Sequence, residues 1–204
     1  ILPLSKNARV LVCGPNANNM RTLNGGWSYS WQGDLVDQYA EKYNTILEAV
    51  QRVSGGQNVR FSEGVRYPEG ANWVIDEMAD LNATLAAARG VDYVLLCLGE
   101  NSYCEKPGDL EDMYLSENQE RLATELAKTG KPIILVLTQG RPRVISKIEP
   151  LVSAVLYAYL AGNHGGDAIA DIIYGDVNPS GKLPITYPRF PNSLIPYDHK
   201  YTEA

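Results

Sequence analysis

Residues 91–112 read VDYVLLCLGENSYCEKPGDLED, and this stretch decides how the rest of the chain is read. The run from Tyr93 to Leu98 is apolar throughout, with no alternation; it stops at Gly99, and Glu100 follows at once. A short run of that kind predicts a strand buried on both faces, as in a parallel sheet. Glu100 then stands at the C-terminal end of the strand, where open α/β sheets gather their ligands. A polar loop follows, holding Tyr103, Glu105, Asp109, Glu111 and Asp112. Buried strand, then acid, then acidic loop suits a group held rigidly and offered to a polar substrate.

Outward from this stretch, strands and helices alternate. Residues 8–13, ARVLVC, predict a buried strand ending at Gly14-Pro15, and 58–61 a weaker one. Ile46, Leu47, Val50 and Val53 form the apolar stripe of a helix over 45–53. Val74, Met78, Leu81 and Leu85 predict a second helix over 72–88, with Gly90 as its stop. Ser116 and Gln119 make a capping box that opens a third, running through Leu122 and Leu126 to Gly130. PIILVL at 132–137 and the run 152–160 predict further strands, 167–174 a short helix, and 182–187 a sixth strand. This order predicts an α/β fold: a three-layer sandwich, one mostly parallel sheet of about six strands with helices on both faces. A length of 204 residues allows one such domain and not two.

Composition narrows the partners. Net charge is -6 with no basic cluster, which argues against nucleic acid. No apolar segment approaches the roughly 20 residues that a membrane span needs, and the opening ILPLSKNARVLV has no leader pattern. Cys13, Cys97 and Cys104 are odd in number and lack CxxC spacing, so neither a disulfide framework nor a zinc site is indicated. His164 and His199 do not suggest a metal pair. The glycine pairs at 25–26, 55–56 and 165–166 lack the spacing of a dinucleotide loop, so no cofactor is expected.

Two long connections break the short-loop pattern, Asn16 to Asn44 and Glu100 to Ser116. Both leave C-terminal strand ends, so a parallel sheet brings them out on one rim. The first carries GGWSYSWQGD, whose glycines favour a loop over a helix around Trp27 and Trp31. Two readings stand for these tryptophans: a mini-core capping the sheet end, or a stacking wall for a sugar ring.

In several of these pieces, taken in order, the chain resembles the C-terminal α/β-sandwich domain of glycoside hydrolase family 3, the β-glucosidase and exo-β-glucanase family. The pieces are KNARVLVCGPNA, GGWSYSWQGD, TILEAV, LLCLGENSYCEKPGD, KPIILVLTQGRP and AGNHGGDAIADIIYGDVNPSGKLPITYP. The resemblance covers nearly the whole chain. It implies a retaining, exo-acting glycosidase in which a preceding (β/α)8-like barrel supplies the nucleophile, and this domain supplies the general acid/base and covers the pocket. One carboxylate attacks the anomeric carbon while a second, roughly 5 to 5.5 Å away, protonates the leaving oxygen and later deprotonates water.

By position the resemblance assigns the acid/base to Glu100, with Glu105 in the same loop as runner-up. It assigns Trp31, with Trp27 beside it, to a wall of the second sugar site, and Tyr103 joins them as a substrate-binding candidate. Asp109, Glu111 and Asp112 are expected to order the loop or to be solvated, and Arg141 to bond loop carbonyls or a carboxylate. His164 stands where many relatives have Glu, a departure that leaves no fixed role there. Expected partners are β-linked glucosides or oligosaccharides and a barrel domain of the same enzyme, absent from these residues; the family implies a secreted or periplasmic location. Two other classes stay open: a non-catalytic carbohydrate-binding module using Trp27, Trp31 and Tyr103, and a flavodoxin-like nucleotide-binding domain.

Overall fold

The apolar run at the heart of the sequence is the central strand of a five-stranded sheet. In the computed structural model, which describes residues 1–192, the strands are β1 (Val10–Cys13), β2 (Val59–Ser62), β5 (Tyr93–Gly99), β6 (Ile133–Thr138) and β7 (Ala154–Tyr157). They lie in the order β2-β1-β5-β6-β7 and every pairing is parallel. Both neighbours and both faces of β5 are therefore covered, which is why its sequence cannot alternate.

Successive side chains of each strand go to opposite layers. Val10, Val12, Leu95, Cys97, Ile134 and Val136 pack with α3 (Ile46–Ser54) and α6 (Gly165–Tyr174) on one face. Leu11, Cys13, Leu96, Leu98, Leu135 and Leu137 pack with α4 (Leu81–Arg89) and α5 (Glu117–Ala127) on the other. The expected three-layer sandwich is present, with five parallel strands.

The helices begin where their capping residues dictate. Thr45 and Glu48 form a reciprocal capping box on α3. At the start of α5 only half of the expected box forms: Ser116 accepts from the Gln119 amide, while the Gln119 side chain turns to Gly99 and Asp76. The helix expected over 72–88 is shorter. Asp80 accepts from the Ala83 amide at 2.9 Å and starts α4 only at Leu81. Upstream, β4 (Glu77–Met78) pairs antiparallel with β3 (Val65–Arg66) instead, and Val74 is exposed.

The expected sixth strand at 182–187 does not form. Pro184 lacks the N–H that a ladder needs, and Tyr187 is anchored by its side chain, its hydroxyl donating to the Arg143 carbonyl at 2.5 Å. The long connection after β1 contains two short helices, α1 (Met20–Asn24) and α2 (Val36–Tyr39), on either side of the tryptophan loop.

Strand order also locates the site. From β1 the chain moves through α3 on one face to β2; from β2 it crosses back through α4 on the other face to β5. The connections after β1 and β5 therefore part to opposite faces, and the crevice between those two strand ends is a topological switch point.

Candidate active site

The floor of this crevice is a set of buried polar groups that terminate β5. Gly99 has φ +142°, and a Cβ there would lie 2.0 Å from the Thr138 carbonyl oxygen, so only glycine ends the strand in this way. Its N–H and C=O are both taken by the buried Gln119 side chain, at 2.9 and 3.0 Å. Asn16, fully buried at the end of β1, donates to Thr138 and accepts from the Tyr67 hydroxyl at 2.9 Å. Burial first, then the Asp76 and Glu100 carboxylates, push the Tyr67 phenol well above its ordinary range, so it stays a donor.

Glu100 stands on this floor facing inward. Its side chain is 1% exposed. Oε1 accepts from Arg141 Nε at 3.0 Å and from Arg143 Nη1 at 3.2 Å. Oε2 accepts from the Tyr103 hydroxyl at 2.9 Å and from the backbone N–H groups of Gly140 and Arg141, both at 3.2 Å. Every one of these contacts offers a hydrogen to the carboxylate, and although Glu100 lines the inner wall of a cleft of about 470 Å³, its side chain is almost wholly covered by these donors.

Five residues further on, Glu105 is exposed at the tip of the same loop. Its backbone has φ 54° and ψ -150°, a region populated almost only by glycine and costing about 1–3 kcal/mol for other residues. The tip rests against the tryptophan loop. Gln32 pairs with the backbone of Cys104, accepting from its N–H at 3.1 Å and donating to its carbonyl at 3.3 Å. The Cys104 thiol donates to the Trp31 carbonyl at 2.9 Å. Gly26 completes the contact, since a Cβ there would lie 2.2 Å from the Tyr103 carbonyl oxygen.

Trp27 and Trp31 are 69% and 48% exposed, so they form no mini-core. Trp27, Tyr29, Glu105 and Tyr159 are four of the five non-glycine residues with positive φ among those described. All four stand on the rim of C-terminal strand ends.

Tyr103 is brought to the site in a different posture from a stacking platform. Its ring is covered by the Arg141 guanidinium at 4.0 Å and by Trp73, with ring centroids 4.5 Å apart. Burial, then the Glu100 charge, push its phenol above the ordinary value and keep it protonated. Arg141 bonds Glu100 and the Gly108 carbonyl, as expected of a loop-binding arginine. Asp109, Glu111 and Asp112 are exposed along a cleft of about 470 Å³ that also touches Trp73, Asp76 and Tyr114. A larger groove of about 950 Å³ follows β7 and α6, away from both carboxylates. His164 stands at the start of α6, edge-on to Tyr43, and His199 lies outside the described residues.

Sequence reasoning missed Gln32, Trp73, Gln119 and Arg143 as parts of the site. TQGRPR contains two arginines two apart, and in an extended segment such a pair points to one side. That signal could have found Arg143 beside Arg141.

The profile of the glycosyl hydrolase family 3 C-terminal domain matches residues 1–204. Over its full length the chain is 38% identical to the lysosomal beta glucosidase of Dictyostelium discoideum, of which it covers 25%. It is 32% identical over 98% of its length to the periplasmic beta-glucosidase of Salmonella typhimurium, of which it covers 28%. In three dimensions it is similar to the β-glucosidase from Listeria innocua solved in complex with glucose, with a TM-score of 0.75 and 28% identity over 93% of this chain and 24% of that one. The chain thus spans about a quarter of the length of the relatives it matches. Profile, relatives and fold agree, and the chain belongs to glycosyl hydrolase family 3, as its C-terminal domain.

Proposed function

We propose that this domain forms one half of the sugar site of a retaining, exo-acting β-glucosidase or β-glucan glucohydrolase, with β-linked glucosides or oligosaccharides as substrates. The other half, including the nucleophilic carboxylate, is assigned to a (β/α)8-like barrel in the rest of the enzyme. What supports a second domain is that the chain spans only about a quarter of its relatives. A periplasmic and a lysosomal relative support a secreted, periplasmic or otherwise non-cytosolic location. Among the described residues no helix is long and apolar enough to cross a membrane.

The acid/base role is proposed for Glu105 in preference to Glu100. The observation that carries this is the contrast in access: Glu105 is an exposed carboxylate on strained backbone, bonded through Cys104 to the loop of Trp31, whereas Glu100 is enclosed by donors. An acid/base must reach a glycosidic oxygen and then a water, which requires an open approach. Trp31 and Trp27 are proposed as the wall of the leaving-group site, and Tyr103 as a support beneath the loop.

The test is hydrolysis of aryl β-glucosides by the full-length enzyme carrying Glu105→Ala or Glu100→Ala, with and without azide. Glu105→Ala is expected to lower kcat/KM on poor leaving groups by about 10²–10⁴-fold, to spare activated aryl glucosides, and to form β-glucosyl azide. Formation of that azide by Glu100→Ala alone would return the role to Glu100. An enzyme inactive on every β-glycoside would leave the binding-module reading, reduced to Trp27 and Trp31.

A further inference from the structure

Glu100 has no part in the chemistry proposed above, yet burying a carboxylate costs several kcal/mol unless it is closely paired. Its partners show what the pairing holds. Arg141 Nη1 donates to the Gly108 carbonyl at 2.5 Å, and its guanidinium lies over the rings of Tyr103 and Trp73 at 4.0 and 5.2 Å. Arg143 donates to the carbonyls of Met113, at 3.2 Å, and Tyr114. The Tyr103 hydroxyl closes on Glu100 Oε2.

The loop is thus tied to one carboxylate at three places: through Tyr103 two residues before Glu105, through Gly108 three residues after it, and through Met113 and Tyr114 where it ends. Strained backbone persists only where its surroundings over-determine it. The ties at Tyr103 and Gly108 bracket the strained Glu105.

Resting on the assignment of Glu105 as acid/base, we infer that Glu100 is a positioning residue, which holds Glu105 in its reactive place through Tyr103 and Arg141 without touching the sugar. A displacement of 1 Å at such a group costs about 10²-fold in rate.

The experiment measures kcat/KM of the full-length enzyme against β-glucosides of graded leaving-group ability, for Tyr103→Phe and Glu100→Gln beside Glu105→Ala. Tyr103→Phe removes one hydroxyl and keeps the ring beneath Arg141, so it decides the matter even if Glu100→Gln does not fold. The expected result is a fall of about tenfold or more on poor leaving groups. Activated aryl glucosides should stay near wild type, and azide should have no effect because the Glu105 carboxylate is still present.

A merely structural role lowers kcat/KM equally for every leaving group, and that outcome overturns the inference while leaving Glu105 in place. Wild-type values on poor leaving groups in Tyr103→Phe overturn it as well. β-Glucosyl azide formed by Glu100→Gln, with none formed by Glu105→Ala, overturns both this inference and the assignment of Glu105.

Discussion

The base and the tip of the loop after β5 each carry a glutamate, and their surroundings are opposite. At the base, Glu100 is buried among two guanidinium groups, a phenol and two backbone amides. At the tip, Glu105 is exposed on backbone that a non-glycine residue avoids. The same residue type, five positions apart, is fully paired in one place and set on strained backbone in the other. The difference teaches that nearness to the strand end is a poor guide to which acid is available. The strand end is where the fold needs an anion, to offset the like charges of two guanidinium groups that meet there. The tip is where a carboxylate stays open to solvent.

The comparison breaks if the two glutamates respond alike to removal. Glu100→Ala leaves Arg141 and Arg143 without their common partner and is expected to destabilise the 204-residue chain by about 3–5 kcal/mol. Glu105→Ala is expected to stay within about 0.5 kcal/mol of wild type. Urea unfolding of the two variants checks both values.

Strain sharpens the contrast next. Glu105→Gly is expected to stabilise the chain by about 1 kcal/mol while the full-length enzyme loses its activity on poor leaving groups. Unfolding and kinetics on the same variant would show stability and activity moving in opposite directions.

The tryptophans extend the comparison to the neighbouring loop. Being exposed, Trp27→Ala and Trp31→Ala are each expected to change stability by less than about 0.5 kcal/mol. In the full-length enzyme Trp31→Ala should raise KM for a disaccharide by up to about tenfold. Loss of folding in either variant would mean that the ring supports the loop.

The smallest effect lies at the opposite end of the sheet. The Arg9 guanidinium and, after it, the Arg9 N–H hold the Asp92 carboxyl at about 2. A depressed folded value means stability that is present above the unfolded value of about 3.9 and is lost as pH falls toward the folded one. The difference in Tm between wild type and Asp92→Asn should therefore be constant above about pH 4 and shrink between about pH 4 and pH 2. Unlike the Glu100 network, this pair stands in solvent, so its effect should also fade with added salt.

Sequence periodicity by itself determined the buried central strands of the sheet. The unalternating runs at 93–98 and 132–137 could be satisfied only by burial on both faces, and the cap at Ser116 set the start of α5 to the residue. It placed the two long loops on one rim and named both glutamates and both tryptophans as candidates. Where the apolar pattern met a competing local signal it misled: Val74 and Met78 continue the stripe of α4, yet the Asp80 cap and the β3–β4 pairing end the helix before them.

Only the tertiary structure decided which glutamate faces inward. Arg141 and Arg143 lie some forty residues beyond Glu100 and reach it because β5 and β6 pair in parallel, Gly99 beside Thr138. Gln32 meets Cys104 across seventy-two residues for the same kind of reason, the loops after β1 and β5 parting from one crevice. Burial, strain and hydrogen-bond saturation are properties of such long-range neighbours. No local pattern around GENSYCE records them, because local pattern encodes which face a residue prefers and not what it will find there.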